Sequence, residues 1–122
     1  MAKTGRVSAL TKTETEFMEL IWDLEPINST ALVRECEKKF NWKKSTTYTV
    51  LKNLCNKGLL KNENATVASI LKREEYYGIC GRDYIDEHFH GSLPMFISAF
   101  CGNGVKLSDK DKEEIKKMID GC

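Results

Sequence analysis

The chain has 122 residues, 41% of them hydrophobic, with 19 Lys and Arg against 18 Asp and Glu for a net charge of +1. That length holds one domain, or one small domain with an appended tail, and the hydrophobic fraction excludes a disordered chain. The apolar runs fall far short of the ~18 residues a membrane helix needs, and no charged-then-apolar leader opens the chain, so neither membrane insertion nor a secretory signal is expected.

Thr11-x-x-Glu14 has the form of a capping box and predicts a helix start. Phe17, Leu20, Ile21 and Leu24 then form an apolar stripe, widened by Met18 and Trp22, and Pro26 ends it. Asn28 or Ser29 caps a second helix, whose buried side is Leu32, Val33 and Cys36 with Phe40 at its end. A third helix is predicted from about Lys43 to Lys57. Its stripe is Thr47, Val50, Leu51 and Leu54 at i, i+3, i+4 and i+7, and Gly58 follows as a stop. The second and third helices have helix-turn-helix proportions.

Between Lys38 and Asn62 there are seven lysines and no carboxylate. The polar side of the third helix offers hydroxyls, an amide, an aromatic ring and cations. Lysines neutralise phosphates and short polar side chains reach base edges in a DNA groove. Ser45, Thr46, Tyr48, Thr49 and Asn53 are therefore candidate base readers, and Lys43, Lys44 and Lys52 candidate phosphate contacts. The competing reading is a solvated helix face that happens to lack acids. Charge distribution favours the first. Residues 1–61 carry a net +4 and residues 62–122 a net −3, as a DNA-facing part and a part facing away would.

After Gly58 the pattern changes. Leu59 to Asn62 reads as a short extended piece and Asn62 to Thr66 as a polar turn. Val67–Leu71 and Glu75–Ile79, rich in β-branched and aromatic residues, read as strands, the alternative being a plain solvated loop over 62–75. Three helices and a hairpin make a winged helix, with Lys61, Asn62 and Asn64 as wing contacts. The expected class is mainly α with a small β-wing, a DNA-binding domain over residues 1–80 and a C-terminal helical dimerisation region over 81–122. In that tail Tyr84 and Ile85 share a side, Leu93, Phe96, Ile97 and Phe100 form a second stripe, and Ser108 starts a last helix. Such short stripes must pack on the core or on another chain, and a second copy of the chain, paired isologously, covers both at once.

Five cysteines, Cys36, Cys55, Cys80, Cys101 and Cys122, are odd in number and widely spaced, as in the reduced thiols of a cytoplasmic protein. His88-x-His90 with Cys80 and Cys101 supplies soft donors, but the reading adopted is a surface histidine pair at a helix end, with no metal and no cofactor. There is no nucleophile-base-acid set and no phosphate loop, so no enzyme is expected.

The stretches L-T-x-x-E-x-E-F-M-E-L-I-W at Leu10–Trp22, I-N-S-T-A-L-V-R-E-C at Ile27–Cys36 and W-x-x-S-T-T-Y-T-V-L-x-x-L-x-x-K-G-L-L at Trp42–Leu60 resemble the penicillinase-repressor family. Tyr84-Ile85 and G-S-L-x-x-F-I-x-x-F at Gly91–Phe100 are similar to that family's tail, while residues 62–83 depart from its pattern. The resemblance implies a homodimeric winged-helix transcriptional repressor on a palindromic double-stranded DNA operator. It further implies control of antibiotic-resistance or stress genes, a membrane-bound sensor protease as partner, and cleavage at the bond Ala99–Phe100, where the family usually has Asn before the bond. Copper sensing through paired Cys-x-Cys motifs is not implied, because Cys101 and Cys122 stand alone. The rival classes are a winged helix used only for protein docking, which a lysine-rich third helix disfavours, and a regulator that senses a ligand or oxidant directly through its thiols.

Overall fold

Thr11 accepts the Glu14 amide on its hydroxyl while Glu14 accepts the Thr11 amide, both at 3.0 Å, and this reciprocal cap starts α1 (Lys12–Leu24). The computed structural model describes residues 10–102, 104 and 106–122. The first nine residues of the expected DNA-binding domain thus lie outside the described residues. The fold is mainly α with a small β-wing, a winged helix followed by further helices.

Phe17, Met18, Leu20, Ile21 and Trp22 of α1 are buried, while Leu24 at its end stays exposed. Pro26 follows, β1 (Ile27–Asn28) is two residues long, and the Asn28 side chain accepts the Thr30 amide to start α2 (Ser29–Phe40). Asn41, left-handed at φ 59°, ends α2. α3 (Lys44–Asn56) buries Thr47, Leu51 and Leu54, with Val50 half-buried. Gly58 at φ +83° closes α3. Its amide bonds to the Cys55 carbonyl and the Leu59 amide to the Leu54 carbonyl, both at 3.0 Å, which is the six-to-one and five-to-two pairing of a Schellman stop.

The wing is β2 (Leu60–Glu63) paired antiparallel with β3 (Thr66–Ser69), and β1 adds on the far side of β3 in the order β1-β3-β2. Asn64 and Ala65 form the two-residue turn with φ of 53° and 62°, so the turn is of the primed type that matches strand twist. The Ala65 carbonyl accepts the Ser29 amide at 2.8 Å, which ties the turn to the start of α2.

The wing hairpin is formed by residues 60–69, not by Val67–Leu71 with Glu75–Ile79. The second of those segments is not a strand but the first part of α4 (Arg73–His88). Its aromatic composition misled, because the spacing is helical: Tyr76 is buried and Ile79, Cys80 and Asp83, at i+3, i+4 and i+7, are half-buried. Glu75 supplies the start signal by accepting the Lys72 amide at 2.9 Å. Arg73 then fixes the helix to α1. It pairs with Asp23 at 2.6 Å and Glu19 at 2.9 Å and lies 5.5 Å from the Trp22 ring centroid, while Tyr77 donates a short hydrogen bond to Glu19. That bond, with desolvation, pushes the Tyr77 phenol up to about 12. At the base of the wing, Glu25 accepts the Ser69 amide and hydroxyl at 2.6 and 2.8 Å.

The chain divides into two compact units, with the boundary after Gly81. The first holds the buried core, in which Leu32 and Cys36 of α2 and Leu54, Leu60 and Val67 join the α1 stripe. Thr47 also lies in it, fully buried, with a hydroxyl that has no oxygen or nitrogen partner among the described residues and that interacts with the Cys36 thiol. The second unit holds the end of α4, α5 (Leu93–Gly102) and α6 (Asp109–Asp120). Ser92 and Ser108 cap α5 and α6. Phe89 and Phe96 meet edge to face at 5.2 Å, with Tyr84 and Phe100 beside Phe96, yet no residue of α5 or α6 is buried. Among the described residues no helix is long and apolar enough to cross a membrane.

Candidate nucleic-acid interface

The stripe that buries α3 dictates what its outer face presents. With Thr47, Leu51 and Leu54 inward, Ser45, Thr49, Lys52 and Asn53 point outward at i, i+4, i+7 and i+8, and Thr46 is exposed beside them. Asn56, also exposed, continues the row one turn beyond Lys52. Sequence reasoning missed it, although its spacing of four from Lys52 was the available signal. Thirteen residues make a rod about 20 Å long.

The candidates are not equally free. Lys43, Lys52 and Lys61 are exposed and have no ion-pair partner among the described residues. Lys44 is exposed, with its ammonium 6.0 Å from the Tyr48 ring centroid. Tyr48 is half-buried, and its hydroxyl lies 3.4 Å from the Ser29 hydroxyl of α2, so this side chain is held against the helix pair. Thr49, exposed, donates its hydroxyl to the Ser45 carbonyl at 2.9 Å. Two of the seven lysines are otherwise engaged. Lys57 bonds both carboxylate oxygens of Glu14, at 3.0 and 3.2 Å, and Lys38 pairs with Glu35 at 3.8 Å. Burial raises the Glu14 carboxyl, but the Thr11 amide and Lys57 outweigh it and hold that group below its ordinary value.

The N-terminus of α3 is electrostatically open. Lys43 stands at the cap position without a side-chain hydrogen bond, and the first turn has no acidic residue. The leading amides and the positive end of the helix dipole are unneutralised, and Lys43 and Lys44 add two formal charges there. In the wing, Lys61, Asn62 and Asn64 are exposed, with Glu63 the one carboxylate among them.

Of the tail residues named from sequence, Tyr84, Leu93, Ile97 and Phe100 are exposed and Ile85 and Phe96 half-buried. Ala99 and Phe100, the candidate cleavage bond, lie within α5. Cys36 is buried and Cys55 half-buried, and burial pushes both thiols up, Thr47 drawing Cys36 partly back. All five cysteines are free, and among the described residues no three His, Cys, Asp or Glu side chains converge on a metal-sized site.

A winged helix with an acid-free, lysine-bearing third helix is the framework of a transcription regulator. Residues 10–121 match the penicillinase repressor family, and the chain belongs to it. Membership marks it as a repressor-family regulator; members are regulators rather than enzymes. The penicillinase repressor of Bacillus licheniformis is 21% identical over 119 residues, which cover 94% of this chain and 92% of that protein. A 16.5 kDa uncharacterized protein in the ptsI 3′ region of Latilactobacillus sakei is 37% identical over 54 residues, covering 44% of this chain and 37% of that protein.

Proposed function

We propose that the protein represses transcription by binding a palindromic operator as a homodimer, one α3 in each of two major-groove half-sites. The observation that carries this reading is the outer face of α3: hydroxyls, amides and unpaired lysines from end to end, no carboxylate, and an uncapped N-terminus. Ser45, Thr46, Thr49 and Asn53, with Asn56 at the far end, read base edges. Lys43, Lys44 and Lys52 meet phosphates, and the free amides at the start of α3 bind a phosphate as helix N-termini do. Tyr48, held to α2, positions the helix, and Lys61 with the wing reaches the neighbouring backbone. The tail residues Tyr84, Leu93, Phe96, Ile97 and Phe100, with Ile85, form the dimer contact, because a single chain leaves this apolar surface in water.

By the name of the Bacillus licheniformis relative, the controlled genes are of the β-lactam-resistance kind. Cutting Ala99–Phe100 by a membrane-bound sensor protease removes part of the dimer contact and so lifts repression. The site of action is the cytoplasm.

The test is a mobility-shift titration over salt. Four cations per subunit near phosphates give about eight per dimer, so log K against log salt falls with a slope of about −7. Lys52→Ala flattens the slope by roughly 1 to 2 units and weakens all sequences alike, whereas Thr46→Ala costs roughly 1 to 3 kcal/mol of discrimination between operator and random DNA. A slope near zero removes the DNA-binding reading and leaves the protein-docking one.

A further inference from the structure

Beside the outer face of α3 runs an open groove of about 390 Å³, formed with β2 and lined by Tyr48, Leu51, Lys52, Cys55, Lys61 and Asn62. That volume falls in the range of small-molecule sites. The floor is apolar: Leu51 is buried, and the Tyr48 ring and Cys55 are half-buried. Cys55 behaves as an uncharged wall, since burial pushes its thiol up and keeps it protonated at neutral pH. The rim is cationic from both sides, Lys52 on α3 and Lys61 on β2, neither with an ion-pair partner among the described residues. The Asn62 amide adds a donor and an acceptor. An apolar floor under two unpaired cations is complementary to a small anion with a flat hydrocarbon body. The body lies on Tyr48 and Leu51, and the carboxylate takes charge-assisted hydrogen bonds from the lysines.

We propose that this groove is an effector site for a small aromatic carboxylate, and that the bound anion excludes operator DNA. Exclusion follows from shared cations: Lys52 and Lys61 cannot neutralise a carboxylate and a DNA phosphate at once. This second half rests on the repressor reading above; the first half does not. The site gives the protein a reversible inducer that requires no cleavage of the tail.

The probe is 2-naphthoate, with 2-naphthamide as its neutral counterpart, added to the full chain without DNA. Saturable amide shifts at Leu51, Cys55 and Asn62 are expected, together with protection of the Cys55 thiol from alkylation, located by mass spectrometry. Naphthamide should bind at least about ten-fold more weakly, since it lacks the charge. Cys55→Leu fills the floor and should weaken naphthoate by about ten-fold or more while leaving operator affinity within about two-fold. Should that variant fail to fold, Lys61→Gln provides the same test without DNA, by lowering naphthoate affinity several-fold toward that of naphthamide while leaving naphthamide unmoved. In the ligand-free chain an operator titration is run alongside, and naphthoate should raise its apparent Kd in step with groove occupancy. No binding of naphthoate, or equal binding of both probes, overturns the site. Binding at the groove with operator affinity unmoved overturns the effector role. An operator that never binds the ligand-free chain is instead a failure of the repressor reading, and the naphthoate titration stands apart from it.

Discussion

In the N-terminal unit Phe17, Ile21, Leu32, Leu54 and Val67 have no exposed surface, whereas in the C-terminal unit Leu93, Ile97, Phe100, Met118 and Ile119 keep between 37% and 67% of theirs. Both units draw on short helices with side-chain caps, Thr11 and Asn28 in the first and Ser92 and Ser108 in the second, so the contrast does not come from local propensity. It comes from what each stripe meets. The α1 stripe meets α2, α3, the wing and the start of α4, which cover it on several sides. The stripes of α5 and α6 meet too little, and a helix of ten or twelve residues has no stability of its own in water. One chain therefore completes one core and leaves a second apolar surface uncovered.

The largest test of this contrast is to remove the second surface. A chain ending at Gly91 should stay folded, sediment as a monomer, and bind the operator on the order of 10²- to 10⁴-fold more weakly through lost bivalency, since two recognition helices about 34 to 36 Å apart are needed for two half-sites. A shortened chain that remains dimeric would move the interface into the N-terminal unit and would remove cleavage at Ala99–Phe100 as a switch.

A pair of truncations inside the helices sharpens the same contrast. Leu54→Ala leaves a cavity in the covered core and should cost roughly 2 to 5 kcal/mol in chemical denaturation. Met118→Ala, at a side chain 67% exposed, should change the stability of the dilute monomer by no more than about 0.5 kcal/mol. Its effect should appear instead as a weaker dimer. Equal costs at the two sites would mean that the C-terminal unit has a packed core of its own.

The contrast also explains what could be read in advance. Caps and stripes are local, so Thr11, Asn28, Ser108 and Gly58 announced their helices, and the alternation of buried and free positions announced the face of α3. The start of α4 was not legible from composition because Tyr76, Tyr77 and Ile79 are strand-favouring residues. Their helix is set by contacts fifty or more residues back in sequence, Arg73 on Asp23 and Tyr76 on Trp22. The two-residue β1 was illegible for a like reason, since its pairing to Val67 and Thr66 is purely tertiary. At the site, residue types disclosed the face but not the occupancy of its groups. That Lys57 is held by Glu14, and Tyr48 by Ser29, depends on helix packing that no spacing rule contains.

The wing turn offers a smaller effect. Ala65 sits at φ 62°, where a side chain is disfavoured by roughly 1 to 2 kcal/mol, and the Asn64-Ala65 turn has the geometry that Asn-Gly fits best. Ala65→Gly should therefore stabilise the N-terminal unit by about 1 kcal/mol in thermal or urea unfolding. A loss of stability would mean that the Ala65 methyl packs on something worth more than the strain it causes.

The smallest effect concerns the cation that the interface does not own. Glu14 is held below its ordinary value in the folded chain, so it binds fewer protons folded than unfolded near that value. Its contribution to stability is then fully present above the unfolded carboxylate range of about 4 to 4.5 and is lost as pH falls through the folded value. Glu14→Gln should flatten the acid limb of the stability curve and leave the alkaline limb unchanged. The same pairing predicts a difference between two lysines of one helix end. Lys57→Ala should leave the salt slope of operator binding where it is, because its ammonium is already neutralised by Glu14 at 3.0 Å, while Lys52→Ala flattens it. If Lys57→Ala flattens the slope as much as Lys52→Ala, then the Glu14 pair opens on DNA, and both lysines belong to the interface.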